Sequence, residues 1–242
     1  MSFTNTEAFV LTGFRYGDTS KIVTLFTNEY GKFNAIVKGA RNFKSRFSGI
    51  FENMNYINVF FNKKDNRELQ LISKAEFRNS FPKIKSSLDK INTAYRILEL
   101  LNKSTLDYYV NEKIFLLLKH TFETLENSIR NFNYFILYFQ INLAKLLGLG
   151  TLIEENQNQI FENNDCVKET FYKNLAFKLN ERHYLMIDEI NSTNIEQLQD
   201  LNYDNVDIQN LQSNFDYILS NNLQNFGYLK TKKIINEINK NT

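Results

Sequence analysis

Between Glu29 and Glu52 the sequence places Lys32, Lys38, Arg41, Lys44 and Arg46 with no carboxylate among them. Ammonium and guanidinium groups at this density make charge-assisted contacts to phosphates, and the interleaved Phe43 and Phe47 offer ring faces on which unpaired bases stack. The window reads K-G-A-R-N-F-K-S-R-F-S-G, bracketed by Gly39 and Gly49, as suits a mobile loop that meets a polyanion. A solvated basic loop has the same composition, and a loop phenylalanine also turns inward as an anchor, so charge alone leaves both readings open.

Catalytic chemistry finds less support. General-base or nucleophilic catalysis uses a histidine most often, and only His120 and His183 exist. His120 falls near the end of an apolar helical run, and His183 opens H-Y-L-M, which reads as a strand edge. Glu154 with Glu155, and Asp188 with Glu189, are sequence neighbours on opposite faces, so neither pair converges by itself. No glycine loop of phosphate-binding spacing appears, and ATP use has no support.

The elements that must position the basic window are short β-branched and aromatic runs: Ala8–Phe14, Lys21–Asn28, Lys32–Lys38, Tyr56–Phe61 and Glu68–Phe77. Gly13, Gly17-Asp18, Tyr30-Gly31 and Lys63-Lys64-Asp65-Asn66 supply turn chemistry between them. Five antiparallel strands, with a longer segment after the third, describe a small barrel. Pro82, the only proline, marks a change from period two to period 3.6. Beyond it three apolar stripes predict helices: Ile84, Leu88, Ile91, Tyr95, Leu98 and Leu101; Ile114, Phe115, Leu118, Phe122, Leu125 and Ile129; Phe132, Phe135, Ile136, Phe139, Leu143 and Leu147. Gly148 is placed to cap the last. From Thr151 to about Asp188 the chain is polar and irregular, with extended pieces at Gln159–Phe161 and Tyr184–Ile187. Ile195–Leu201, Val206–Leu219 and Asn222–Ile238 read as further helices. The fold class is therefore α+β: a barrel domain over residues 1–80 and a helical domain over 81–242, with an irregular insert at about 151–188.

Charge divides along the same line. Residues 1–80 hold twelve Lys/Arg against seven Asp/Glu, whereas the remainder holds seventeen against twenty. A basic domain without an amphipathic basic helix favours nucleic acid over an anionic membrane. Cys166 stands alone, which gives no intramolecular disulfide, and M-S-F-T-N-T-E lacks the features of a secretory leader, so a cytoplasmic location is expected. Phe132–Leu149 is apolar, but Asn133, Gln140, Asn142 and Lys145 interrupt it, so it reads as a core helix and no membrane association is expected.

The stretch T-G-F-R-Y-G-D-T-S-K-I-V-T-L-F-T-N-E-Y-G-K-F-N-A-I-V-K-G-A-R resembles the N-terminal domain of RecO-type recombination mediators. Tyr16, Gly17, Asp18, Ser20, the run Ile22–Thr27, Gly31, Lys32, Lys38–Arg41 and Lys44–Gly49 carry the resemblance. The closing L-Q-N-F-G-Y-L-K-T-K-K-I is similar to the family's C-terminal helix. The charge and ring chemistry of the window makes Lys38, Arg41, Lys44, Arg46, Lys32, Phe43 and Phe47 the DNA-contact candidates; the resemblance implies an OB-fold barrel and puts Lys38 and Arg41, in the K-G-A-R element, foremost among them. It also implies a non-enzymatic mediator that binds single- and double-stranded DNA and engages RecR and the C-terminal tail of single-strand-binding protein. Such a protein helps RecA onto gaps and anneals strands. Many members carry a four-cysteine zinc motif after the helices; here Cys166 with His183 cannot complete one, and no metal or other cofactor is expected. A nuclease-like enzyme and an OB-fold scaffold that never touches DNA are the alternatives.

Overall fold

The computed structural model describes residues 3–64, 67–149, 179–223 and 226–231. Five strands, β1 (Phe3–Tyr16), β2 (Ser20–Thr27), β3 (Gly31–Val37), β4 (Tyr56–Asn62) and β5 (Leu69–Asn79), close into a barrel in the order β1-β2-β3-β5-β4. Every pairing is antiparallel except β3 with β5. This is the OB topology, and with the helices that follow the class is α+β. Inward-facing Ala8, Val10, Val23, Leu25, Phe33, Ala35, Val37, Ile57, Val59 and Phe61 fill the barrel, each at most 1% exposed. The strands lie where the β-branched runs predict them. β1 alone is much longer than expected, because one end pairs with β4 and the other with β2.

A bulge in β1 decides which of its side chains reach solvent. The register on β2 shifts between Val10 and Thr12, so Leu11 is the extra residue. Before the bulge Ala8 and Val10 face inward; after it Gly13 does, and Thr12, Phe14 and Tyr16 face out.

Pro82 opens α1 (Pro82–Lys85), and α2 (Leu88–Ser104), α3 (Glu112–Asn127), α4 (Asn133–Leu146), α5 (Glu181–Ser192), a 3-10 helix (Ile195–Asp200) and α6 (Asn205–Asn222) follow among the described residues. The chain forms two compact units, Met1–Lys119 and His120–Thr242. In the first, the outer face of the barrel near Phe9 and Phe26 is covered by aromatic packing: Phe9 stacks on Tyr56 at 4.9 Å and meets Phe115 at 5.8 Å and Phe81 at 6.1 Å. In the second, α4 is buried on nearly all sides and packs on α5, α6 and the 3-10 helix, with Gln140 Nε2 donating to Asp216 Oδ1 at 2.6 Å. Gly148 caps α4 as expected: φ is 82°, and the N–H groups of Gly148 and Leu149 return to the carbonyls of Lys145 and Ala144.

Four expectations for the part after the barrel are corrected. Tyr184–Ile187 is helical, within α5, and His183 sits in its first turn; Asn180 caps the start, and this local hydrogen bonding outweighs the β-like composition. The α2 stripe is out of phase at its start, since Leu88 is 60% exposed and Tyr95 40%, while Ala94, Ile97 and Leu100 are buried. Ile129 lies beyond the end of α3 and is exposed. In the expected last helix α6 runs through Asn222, residues 226–229 are not helical, and helix resumes at Lys230 and Thr231. Gln159–Phe161, Glu154, Glu155 and Cys166 lie outside the described residues.

Candidate nucleic-acid interface

The basic window joins β3 to β4, and it is tied down throughout, contrary to the expectation of a mobile loop. Tight turns run through it, with Asn42 N–H on the Gly39 carbonyl, Ser45 on Asn42, Ser48 on Ser45 and Ile50 on Phe47. Asn55 Nδ2 donates to the carbonyls of Gly49 and Ile50, both at 2.9 Å. Ala40, Phe47, Ile50 and Phe51 turn inward and join the barrel core. The loop thus plugs one end of the barrel.

That plug sorts the predicted residues. Phe47 is 5% exposed and packs edge-on against Phe51, so it does not stack on a base. Burying such a ring gains about 2 kcal/mol, as much as stacking a base would return, so nothing draws it out. Arg46 lies across the Phe47 ring at 5.0 Å and donates through Nη2 to the Ser73 carbonyl on β5 at 2.6 Å. Arg41 clamps the β1–β2 turn: its N–H bonds the Thr19 carbonyl, and Nη1 reaches the carbonyls of Gly17 and Asp18, each at 3.0 Å. Lys38 and Lys44 are exposed, and their ammonium groups have no partner among the described residues. Phe43 is 95% exposed. Lys38, Lys44 and Phe43 are therefore presented to solvent on a rigid support to which Arg41 and Arg46 contribute.

Lys32 is a correction. It is buried, and its Nζ donates to the carbonyls of Asn102 and Thr105 at the end of α2, both at 2.6 Å, with Asp107 at 3.5 Å. Burial pushes its pKa below the ordinary value, and Asp107 partly opposes the shift. A lysine so placed does not meet a phosphate; it holds the α2–α3 segment to the barrel. Gly31 belongs to the same joint, because φ is +65° and a β-carbon there would stand 2.4 Å from the Tyr109 carbonyl oxygen.

Two residues of the exposed face were not among the expected DNA contacts, although Tyr16 stands in the motif that carries the resemblance. Phe14 is 58% exposed and Tyr16 51%, side by side on the outer face of β1. Their signal is the alternation F-R-Y before the Gly17 turn, but the bulge at Leu11 reverses which alternate residues face out.

The catalytic candidates do not converge. His183 Nδ1 accepts from the Asn180 N–H at 3.2 Å, and its own N–H donates to Asn180 Oδ1 at 2.9 Å, a capping box. Burial lowers the pKa of His183; Asp207 works against that and Arg182 with it. Glu189 accepts from the Tyr203 hydroxyl, whose pKa burial and Glu189 push up to about 12. His120 lines a cleft of about 540 Å³ with Glu123, Asn127, Glu196 and Gln199. The described lining residues hold carboxylates and no cation, which does not suit an acidic peptide tail. Among the described residues no cluster of His, Cys, Asp or Glu could hold a metal, and no helix is long and apolar enough to cross a membrane.

A closed five-stranded OB barrel, with a plugged end that presents cations and aromatic rings, defines the class as an OB-barrel protein. Residues 1–81 match the family model described as Recombination protein O N terminal, and residues 85–233 match Recombination protein O C terminal. The chain belongs to the RecO family. Relatives named DNA repair protein RecO include that of Chloroherpeton thalassium, 39% identical over 59% of this chain and 55% of the relative. That of Chlorobium limicola is 36% identical over the same shares, and that of Salinibacter ruber 33% identical over 64% of this chain and 60% of the relative. The matched region thus spans little more than half the length of these relatives.

Proposed function

We propose that this chain is a non-enzymatic DNA repair and recombination mediator whose barrel plug contacts DNA phosphates. The observation that carries the reading is the sorting within the basic window: Arg41 and Arg46 are tied to main-chain carbonyls, while Lys38, Lys44 and Phe43 stand free on the support they build. A loop backbone already held in place has no ordering cost to meet when its lysines reach a phosphate, and neutralising phosphates without reading bases is what a mediator acting on any gap requires. In the proposal the protein works in the cytoplasm, binds single- and double-stranded DNA, engages single-strand-binding protein and RecR, aids RecA loading and anneals strands.

The test replaces Lys38 and Lys44 by Ala and follows DNA binding as a function of salt. Binding should weaken, and the slope of log K against log salt on single strands should fall by about 0.7 for each lysine. Unchanged affinity and slope would sink the interface. Arg41→Ala is the poorer probe, since it also releases the β1–β2 turn.

A further inference from the structure

The barrel face beside the plug is built for more than charge. Beyond the bulge in β1 the outward residues line up in rows across the strands. Thr12, Thr24 and Asn34 form a polar row on β1, β2 and β3, linked from hydroxyl to hydroxyl at 3.2 Å and from Thr24 to Asn34 Oδ1 at 2.8 Å. The next row is apolar: Phe14 pairs with Ile22, Ile22 with Ile36, and Ile36 with Leu71 on β5. One step further Tyr16 lies opposite Ser20, and Lys38 follows Val37, the partner of Lys21. Phe14 and Tyr16 thus stand more than half exposed on a sheet face, beside an ammonium group without a partner among the described residues. The turn beyond them is fixed by the three bonds from Arg41.

Resting on the proposed phosphate contact, we infer that Phe14 and Tyr16 are a stacking pair that makes this interface prefer unpaired bases. The spacing supplies the selectivity. Residues two apart on a strand are about 6.6 Å apart, close to twice the rise of about 3.4 Å per nucleotide within a duplex strand. A strand that lays one base on each ring must be stretched out of its helical stack. A single strand stretches readily, whereas a duplex would first have to open. The cations around the pair suit a nucleic acid rather than an apolar protein segment, and Phe43 on the plug offers a third ring face.

The test compares Phe14→Ala, Tyr16→Ala, the double variant and Tyr16→Phe with Lys38→Ala/Lys44→Ala. The probes are an oligothymidylate carrying 2-aminopurine and a blunt duplex, and far-UV circular dichroism checks the fold. Each alanine should weaken single-strand binding about tenfold and reduce the stacking quench of 2-aminopurine while leaving duplex binding within twofold, whereas Tyr16→Phe, which keeps the ring face, should bind both probes like wild type. Single-strand binding by the double variant equal to wild type would overturn the inference, and so would an equal loss on both probes. Failure of the phosphate contact looks different: the lysine variant would then bind both probes like wild type.

Discussion

Lys32 and Lys38 carry the same charge on one short stretch of chain and act in opposite ways. Lys38 faces solvent, while Lys32 donates to two carbonyls at the end of α2. Replacing Lys32 by Met removes both donors from buried surroundings and should cost about 1–3 kcal/mol of stability, measured by urea unfolding. The pH dependence carries the sign of a lysine held below its ordinary value. The unfolded chain binds the proton more tightly than the folded one, so stability rises as pH climbs from the lowered pKa towards 10.5 and is lost as pH falls back through it. Wild type should therefore gain on Lys32→Met as pH rises through that range. DNA affinity near neutral pH should change little, since this ammonium group is turned away from solvent.

At the scale of elements, α5 begins on a reciprocal cap that depends on a neutral imidazole. Nδ1 of His183 must accept from Asn180, and a proton there would end that bond. Burial keeps the folded pKa below the ordinary 6.5, so the contribution is complete above 6.5 and is lost as pH falls through the folded value. His183→Gln retains a capping-box acceptor without a titrating group, and its stability should be flatter than wild type in that acid window. His183→Ala should cost about 1 kcal/mol at pH above 6.5, as seen by thermal unfolding, and the gap to wild type should narrow as pH falls through the folded pKa. Either result departing from this order would assign the cap less weight than its geometry gives it.

For the molecule as a whole the informative quantity is the separation of charge. The stretch that builds the barrel is basic and the remainder is acidic, so electrostatic attraction for a polyanion is concentrated at one part of the chain. Under the mediator proposal, DNA coated with its cognate single-strand-binding protein should anneal faster when this protein is added. The gain should disappear when the coating protein lacks its C-terminal tail. The lysine double variant should show no gain even on DNA coated with the intact single-strand-binding protein. Annealing that persists without the tail would remove that partner from the proposal. Cleavage of the strands by pure protein with Mg²⁺ or Mn²⁺ would remove the non-enzymatic reading.

How much of this was legible from residues alone depends on the range of the interactions concerned. Strand positions, the change from strand to helix at Pro82 and the Gly148 cap rest on alternation and local backbone chemistry, so the sequence by itself determined them, along with the concentration of positive charge between β3 and β4. Side-chain fates in the plug and on β3 before it rest on partners far along the chain: Arg41 on Gly17 and Asp18, Arg46 on Ser73, Lys32 on Asn102 and Thr105. Composition could not separate Phe43 from Phe47, because both are loop phenylalanines beside a cation; only closure of the barrel decided that Phe47 fills its end and Phe43 does not. A single bulged residue, Leu11, set the face on which Phe14 and Tyr16 appear, and a one-residue shift of register is visible only once the strands are paired.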